Sequence, residues 1–193
     1  AVISQSGIPK LYTVYFLTFL AFSLFYAGLP LYASSILEWS ASDLGIFLSY
    51  SSIIMFIAQG PILSRLTEKY NNQKLIIAGS VLLGIAFLLL SYQNIIILYA
   101  SMTILSLGNG IMWPSFMALL AKSGDKQMQG AIQGYGSSMG SFASMIGLLV
   151  GGLLFEQIQV TVFIISGAIF LLIGLLMILK APKKKPTLIA DYN

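Results

Sequence analysis

Long uncharged stretches, broken by short polar clusters, divide the chain into six segments. The first lies between Lys10 and Glu38 and holds 27 residues without a charge, enough for roughly 40 Å of helix. Roughly 20 apolar residues suffice to cross a bilayer. The pattern therefore predicts six spans at about 11–37, 44–64, 75–91, 95–121, 130–155 and 158–179. Glu38 to Asp43, Tyr92 to Asn94, Lys122 to Gln129 and Glu156–Gln157 read as connections, and Gly60 to Lys74 as the longest of them. No linker or low-complexity run separates domains. The expected fold is an all-α membrane protein, one six-helix bundle over 1–193.

Within the spans, polar and small residues fall on defined faces. Tyr12, Tyr15, Phe19, Phe22 and Tyr26 recur at three and four residues and form an aromatic stripe on the first helix. Such stripes are usually packing surface, with Tyr26 the member placed to meet water or ligand. Gly28 and Pro30 are expected to bend or loosen the end of that helix, and Trp39 sits where an interfacial anchor belongs. Ser42 or Asp43 is positioned to cap the second helix. On that helix Gly45, Ser49, Ser52 and Gln59 share a stripe, and the Gln59 amide is costly to bury without a partner. The fourth span holds Asn109, Trp113 and Pro114. Ten of the 18 glycines lie between Gly108 and Gly152. In the fifth span Gly136, Gly140, Ser144, Gly147 and Gly151 line one face. Lipid offers helices no hydrophobic drive to associate, so a strip of this kind marks close backbone packing.

Composition narrows the class. The chain is 58% hydrophobic and 8% charged, with a mean hydropathy of +0.90, far from a soluble domain. It contains no Cys and no His, which removes thiolate chemistry and the commonest general base. No catalytic residue, metal site or cofactor is expected, and an enzyme is disfavoured. The net charge of +4 is no nucleic-acid signature, because the basic residues sit between apolar segments.

Their distribution sets an orientation. Lys10 contributes one basic residue, the Arg65 to Lys74 connection three, Lys122 to Gln129 two and the tail from Lys180 four. With six spans all of these fall on one side, and none on the other. The positive-inside rule then places both termini and both basic connections in the cytoplasm, with the cell membrane the expected location.

Six spans with a basic connection between the second and third resemble one half of a major facilitator superfamily transporter. The resemblance covers nearly the whole chain. Its most specific element is the loop motif G-x-x-x-D-R-x-G-R-K, matched by Gly60, Arg65 and Lys69, while Ser64, Thr67 and Glu68 depart from it. Erosion of this kind is typical of the copy in the second half, so the chain looks like a C-terminal half, as the lysine-rich tail suggests. Arg65 and Lys69 then read as loop anchors at anionic headgroups. Gly147, Gly151 and Gly152 are similar to the end of the antiporter-type motif, though without its Pro. Asn109, Trp113 and Pro114 are similar to cavity-lining helices of drug and sugar efflux members.

The resemblance implies a secondary transporter half that moves a small amphipathic or neutral solute by alternating access. Tyr26, Gln59, Asn109, Trp113 and Gln133 are the expected substrate contacts. The expected partners are the lipid bilayer, a small-molecule substrate and a second six-helix half, upstream in the same polypeptide or in another chain. The alternative is a six-helix scaffold or channel-like protein without transport coupling. An aquaporin-type channel needs Asn-Pro pairs that are absent here. An ATP-driven exporter needs long cytoplasmic helix extensions for which the connections leave no room.

Overall fold

The computed structural model describes residues 8–123 and 126–179. The lysine-rich tail from Lys180 lies outside the described residues. Among the described residues, six helices are long and apolar enough to cross a membrane: α1 (Ile8–Ser35), α2 (Ala41–Lys69), α3 (Asn72–Leu90), α4 (Ile95–Ala121), α5 (Gln129–Ile158) and α6 (Thr161–Ile178). A short 3-10 turn, Lys126–Met128, leads into α5. Among the described residues there is no strand.

The connections are tight because side chains cap the helices that follow. Ser40, rather than Ser42 or Asp43, is the cap of α2. Its hydroxyl accepts from the Asp43 N–H at 3.3 Å, while the Ser40 N–H donates to the Asp43 carboxylate at 2.9 Å. This reciprocal box satisfies two donors at once. Asn71 accepts from the Lys74 N–H at 3.0 Å and starts α3. Asn94 accepts from Ile96 and Ile97 and starts α4.

The second helix departs furthest from expectation. The stretch from Gly60 to Lys74 is helical except at Tyr70 and Asn71. Ala41–Ile57 is α-helical, Ala58–Ile62 forms one π turn, and Leu63–Lys69 resumes the α-helix. Pro61 has no N–H, and its ring would clash with the carbonyl one turn back. The wider π turn accommodates that clash, so the proline does not end the helix. At 29 residues, α2 is about 44 Å long and outruns a ~30 Å hydrocarbon layer. Glu156 and Gln157, expected to turn the chain, still belong to α5. The turn falls at Gln159, which adopts φ 47°. α1 likewise runs on through Gly28 and Pro30 to Ser35.

Packing follows the small residues. α1 lies along α5 and α6, α3 lies along α4 and α6, and α2 rests on α4. Gly79 of α3 and Gly108 of α4 meet almost backbone to backbone: a Cβ at Gly79 would stand 2.7 Å from the Gly108 carbonyl oxygen. Gly84 and Gly167 do the same for α3 and α6. The Ser166 hydroxyl donates to the Ala21 carbonyl at 3.0 Å and ties α6 to α1. Phe25, Phe87, Phe163 and Phe170 fill the space between these helices and are fully buried.

Two helices remain thinly covered. In their most apolar windows only 11% of α2 and 28% of α5 is buried, against 50% of α1, α3 and α4. Ser49, Ser52 and Gln59 on α2, and Gln133, Ser137 and Ser141 on α5, stand exposed.

Candidate functional site

The cavity wall begins with the aromatic stripe of α1. Tyr12 and Tyr15 are buried, whereas Tyr26 is 55% exposed, so the stripe passes from packing to open surface along the helix. Tyr15 stacks on Phe19 with ring centres 5.0 Å apart, and both meet the Trp113 indole edge-on at 5.5 and 5.4 Å. Trp113 also stacks on Phe116 at 5.9 Å. Three rings from two helices thus hold the indole in place. Pro30 adds a second effect: it withholds the N–H that would pair with the Tyr26 carbonyl.

This wall borders a cavity of about 240 Å³ between α1, α4 and α5, lined by Phe19, Phe22, Ser23, Tyr26, Asn109, Trp113, Thr18 and Ser144. A neighbouring cavity of about 250 Å³ opens between α1, α2 and α4 and includes Ser51, Ser52, Met55 and Ser106. Tyr26 and Asn109 line both. The Asn109 amide donates to the Met55 sulfur at 3.3 Å. Its carbonyl oxygen takes no hydrogen bond among the described residues, and thioether sulfur is a weak acceptor. The amide is therefore available to a ligand. No Asp, Glu, Lys or Arg lines either cavity.

Hydroxyls hold α2 against α4 beside the second cavity. Tyr50 pairs with Thr103 at 2.7 Å, and Ser51 with Ser106 at 2.8 Å. One turn further, a Cβ at Gly110 would stand 2.6 Å from Ala58 Cβ. Thr18 bonds back to the Val14 carbonyl of its own helix at 2.8 Å.

Of the five expected substrate contacts, the structure brings Tyr26, Asn109 and Trp113 together. Gln59 and Gln133 are exposed and line neither cavity. Gln59 sits in the π turn of α2, and Gln133 is near the start of α5 on its uncovered face. Sequence reasoning missed Ser23, Ser51, Met55 and Ser106. Thr18, Phe22 and Tyr26 share an i, i+4 face, the one signal that could have grouped Thr18 with the stripe. Ser51 and Ser106 carry no comparable signal, since each is one hydroxyl among many.

Gly60 lies in the π turn, while Arg65 and Lys69 are exposed on the helical extension beyond it. The strip on α5 faces α1. A Cβ at Gly147 would meet Ser23 Cβ at 2.6 Å, one at Gly151 Ala27 Cβ at 2.9 Å, and one at Gly140 the Tyr15 ring at 2.6 Å. Gly136 abuts the same ring, and Ser144 reaches the cavity. Gly152 has open space where its Cβ would stand.

The sequence profile described as "Major Facilitator Superfamily" matches residues 11–191. The chain belongs to the Major Facilitator Superfamily. Its six helices form a half of that transporter fold, in an integral, multi-pass membrane protein. The crystal structure of the human organic anion transporter MFSD10 (TETRAN) superposes with a TM-score of 0.81 at 23% identity. The match covers 89% of this chain and 40% of that one. The chain is 26% identical over 143 residues to the tetracycline resistance protein, class C, of Escherichia coli, covering 74% of this chain and 36% of the relative. It is 26% identical over 164 residues to the MFS-type transporter YttB of Bacillus subtilis (strain 168), covering 83% and 41%. The class D tetracycline resistance protein of Salmonella ordonez is 24% identical over 157 residues, covering 79% and 40%. The chain thus spans about two fifths of the length of the curated relatives it matches.

Proposed function

We propose that the chain is the C-terminal half of a secondary transporter that exports a small neutral or amphipathic solute by alternating access. The observation that carries this reading is the convergence of Tyr26, Asn109 and Trp113 on one cavity between α1 and α4. An indole face, a phenol and an amide supply flat apolar contact with a few hydrogen bonds and no fixed charge. That chemistry suits an uncharged or amphipathic ligand better than an ion. Two curated relatives are named for tetracycline resistance, which favours a polycyclic drug-like solute over a sugar.

The uncovered faces of α2 and α5 support a second six-helix half. Ser49 and Ser52 bond back to their own helix, but the Gln59 and Gln133 amides take no partner among the described residues, and a facing bundle supplies one. Gln59 and Gln133 then face that partner, closing the cavity from α2 and α5 as the halves rock. Lys10, Lys69, Lys74 and Lys122 gather at one end of the bundle. Two bonds knit that end together: Lys10 donates to the Leu179 carbonyl, and Gln73 donates to the Met177 carbonyl at 2.6 Å. We place this end, with both termini, in the cytoplasm of a plasma membrane protein.

Tracer uptake into everted membrane vesicles tests the reading, with tetracycline and an uncharged amphipathic dye as probes. Saturable uptake of either is expected, with apparent affinity weakened roughly tenfold by Asn109→Ala and more by Trp113→Ala. A folded Asn109→Ala, Trp113→Ala double variant with wild-type uptake kinetics would sink it.

A further inference from the structure

Away from these two cavities, a third opening of about 250 Å³ lies at the basic end of the bundle. Leu66 and Tyr70 of the α2 end, Leu75 and Ala78 of α3, and Ile111 of α4 form its walls, with Lys74 at the rim. It exists because α2 does not stop at Pro61. The π turn carries the helix on to Lys69, and its last turn overhangs the start of α3. The Asn71 cap holds the Lys74 backbone in the first turn of α3, which fixes where the ammonium stem departs.

The groove therefore joins two unlike surfaces. Its walls are almost wholly aliphatic, with Leu75 and Ile111 buried at the floor, Leu66 half-buried, and Lys74 and Ala78 exposed. Its one charged lining residue is a lysine with no salt bridge among the described residues. Arg65 and Lys69 stand exposed on α2, each next in sequence to a lining residue, Leu66 and Tyr70. Glu68 lies on the same helix but does not line the groove. Tyr70 is 47% exposed and carries the amphipathic ring typical of the headgroup level.

We propose that this groove binds one anionic diacyl phospholipid, with an acyl chain along Leu66, Leu75, Ala78 and Ile111 and the phosphate at Lys74. The aliphatic walls select a chain, which a free anion lacks, and Lys74 favours a net negative headgroup over a zwitterionic one, whose own ammonium offsets the attraction. The assignment is independent of which solute the cavity carries.

Native mass spectrometry on the protein as extracted from its host membrane tests this, with phosphatidylglycerol, phosphatidylcholine and inorganic phosphate as probes. One phosphatidylglycerol is expected to survive activation that strips phosphatidylcholine. Lys74→Gln should weaken its retention about fivefold, as expected for one basic residue at an anionic surface. Ala78→Phe, which fills the groove and keeps the charge, should weaken it comparably. Lys74→Arg should restore it, and Lys122→Gln should leave it unchanged. Four results would overturn the site: wild-type retention in Lys74→Gln, wild-type retention in Ala78→Phe, an equal loss in Lys122→Gln, or displacement by inorganic phosphate at millimolar concentration. The first and third mean diffuse charge attraction, the second a headgroup contact without the groove, and the last a free-anion site.

Discussion

Alanine at Gly147 is the smallest change that tests how the cavity is framed. The added methyl would stand 2.6 Å from Ser23 Cβ, 2.9 Å from the Leu20 carbonyl oxygen and 3.4 Å from the Leu24 nitrogen. None of these is the end of a flexible side chain, so α1 and α5 must separate. Overpacking of this kind costs about 1–3 kcal/mol, offset by up to about 1 kcal/mol from replacing glycine within a helix. A net loss of about 1–2 kcal/mol should lower the unfolding midpoint by roughly 2–8 °C for a chain of this size. Gly152→Ala, five residues along the same helix, places its methyl in open space and should leave the midpoint unchanged or raise it. The contrast between the two, read by thermal unfolding in detergent, removes the general effect of alanine. Because Ser23 also lines the cavity, Gly147→Ala should reduce transport beyond its effect on the amount of folded protein. Equal midpoints for the two variants would mean that α1 and α5 do not touch along this strip.

Other measurements address separate parts of the structure. Asn94→Ala removes the acceptor for two backbone donors at the start of α4 and should cost about 0.5–2 kcal/mol, visible as a lower unfolding midpoint with unchanged solute affinity. Asn109→Ala removes only a weak bond to Met55, so stability should stay within about 1 kcal/mol while apparent solute affinity falls; a large stability loss would recast the amide as structural. For orientation, the chain lacks cysteine, and single cysteines at Ser42, Lys69, Gln93 and Lys122 avoid the capping side chains. An impermeant thiol reagent should label positions 42 and 93 in whole cells, and labelling of 69 or 122 instead would invert the topology.

Much of the architecture was legible because lipid imposes a simple rule: backbone polar groups must be satisfied within each span. Uninterrupted apolar stretches therefore mark helices, and Asn109 with Trp113 follows from their spacing of four. What was not legible depended on neighbours. Gly60 to Lys74 read as a connection, and only the π turn around Pro61 lets the helix continue into it. Gln59 and Gln133 read as cavity residues because polarity in lipid needs a partner. Sequence polarity alone does not distinguish a face toward the cavity from one toward another bundle. The Gly79–Gly108 and Gly84–Gly167 contacts escaped for a related reason. The glycines of α3, α4 and α6 form no strip at steps of three or four, and each pair exists only once the helices cross.

The pairing of α1 with α5 also sets a clock. α1 ends at Ser35, and its main partner begins about ninety residues later at Gln129, roughly 5–20 s of synthesis. α3 and α4 join as a hairpin as soon as the ribosome passes Ala121, but α1 must wait in the membrane with its stripe unclaimed. Its Tyr12 hydroxyl gains the Ile132 carbonyl, and its Ala21 carbonyl gains Ser166, only once α5 and α6 have been made. The glycine strip is thus the docking site of a late event, and a bulky residue there lengthens the interval in which an orphaned α1 is exposed to membrane proteases. Such variants should be scarce in the membrane before they are slow as transporters.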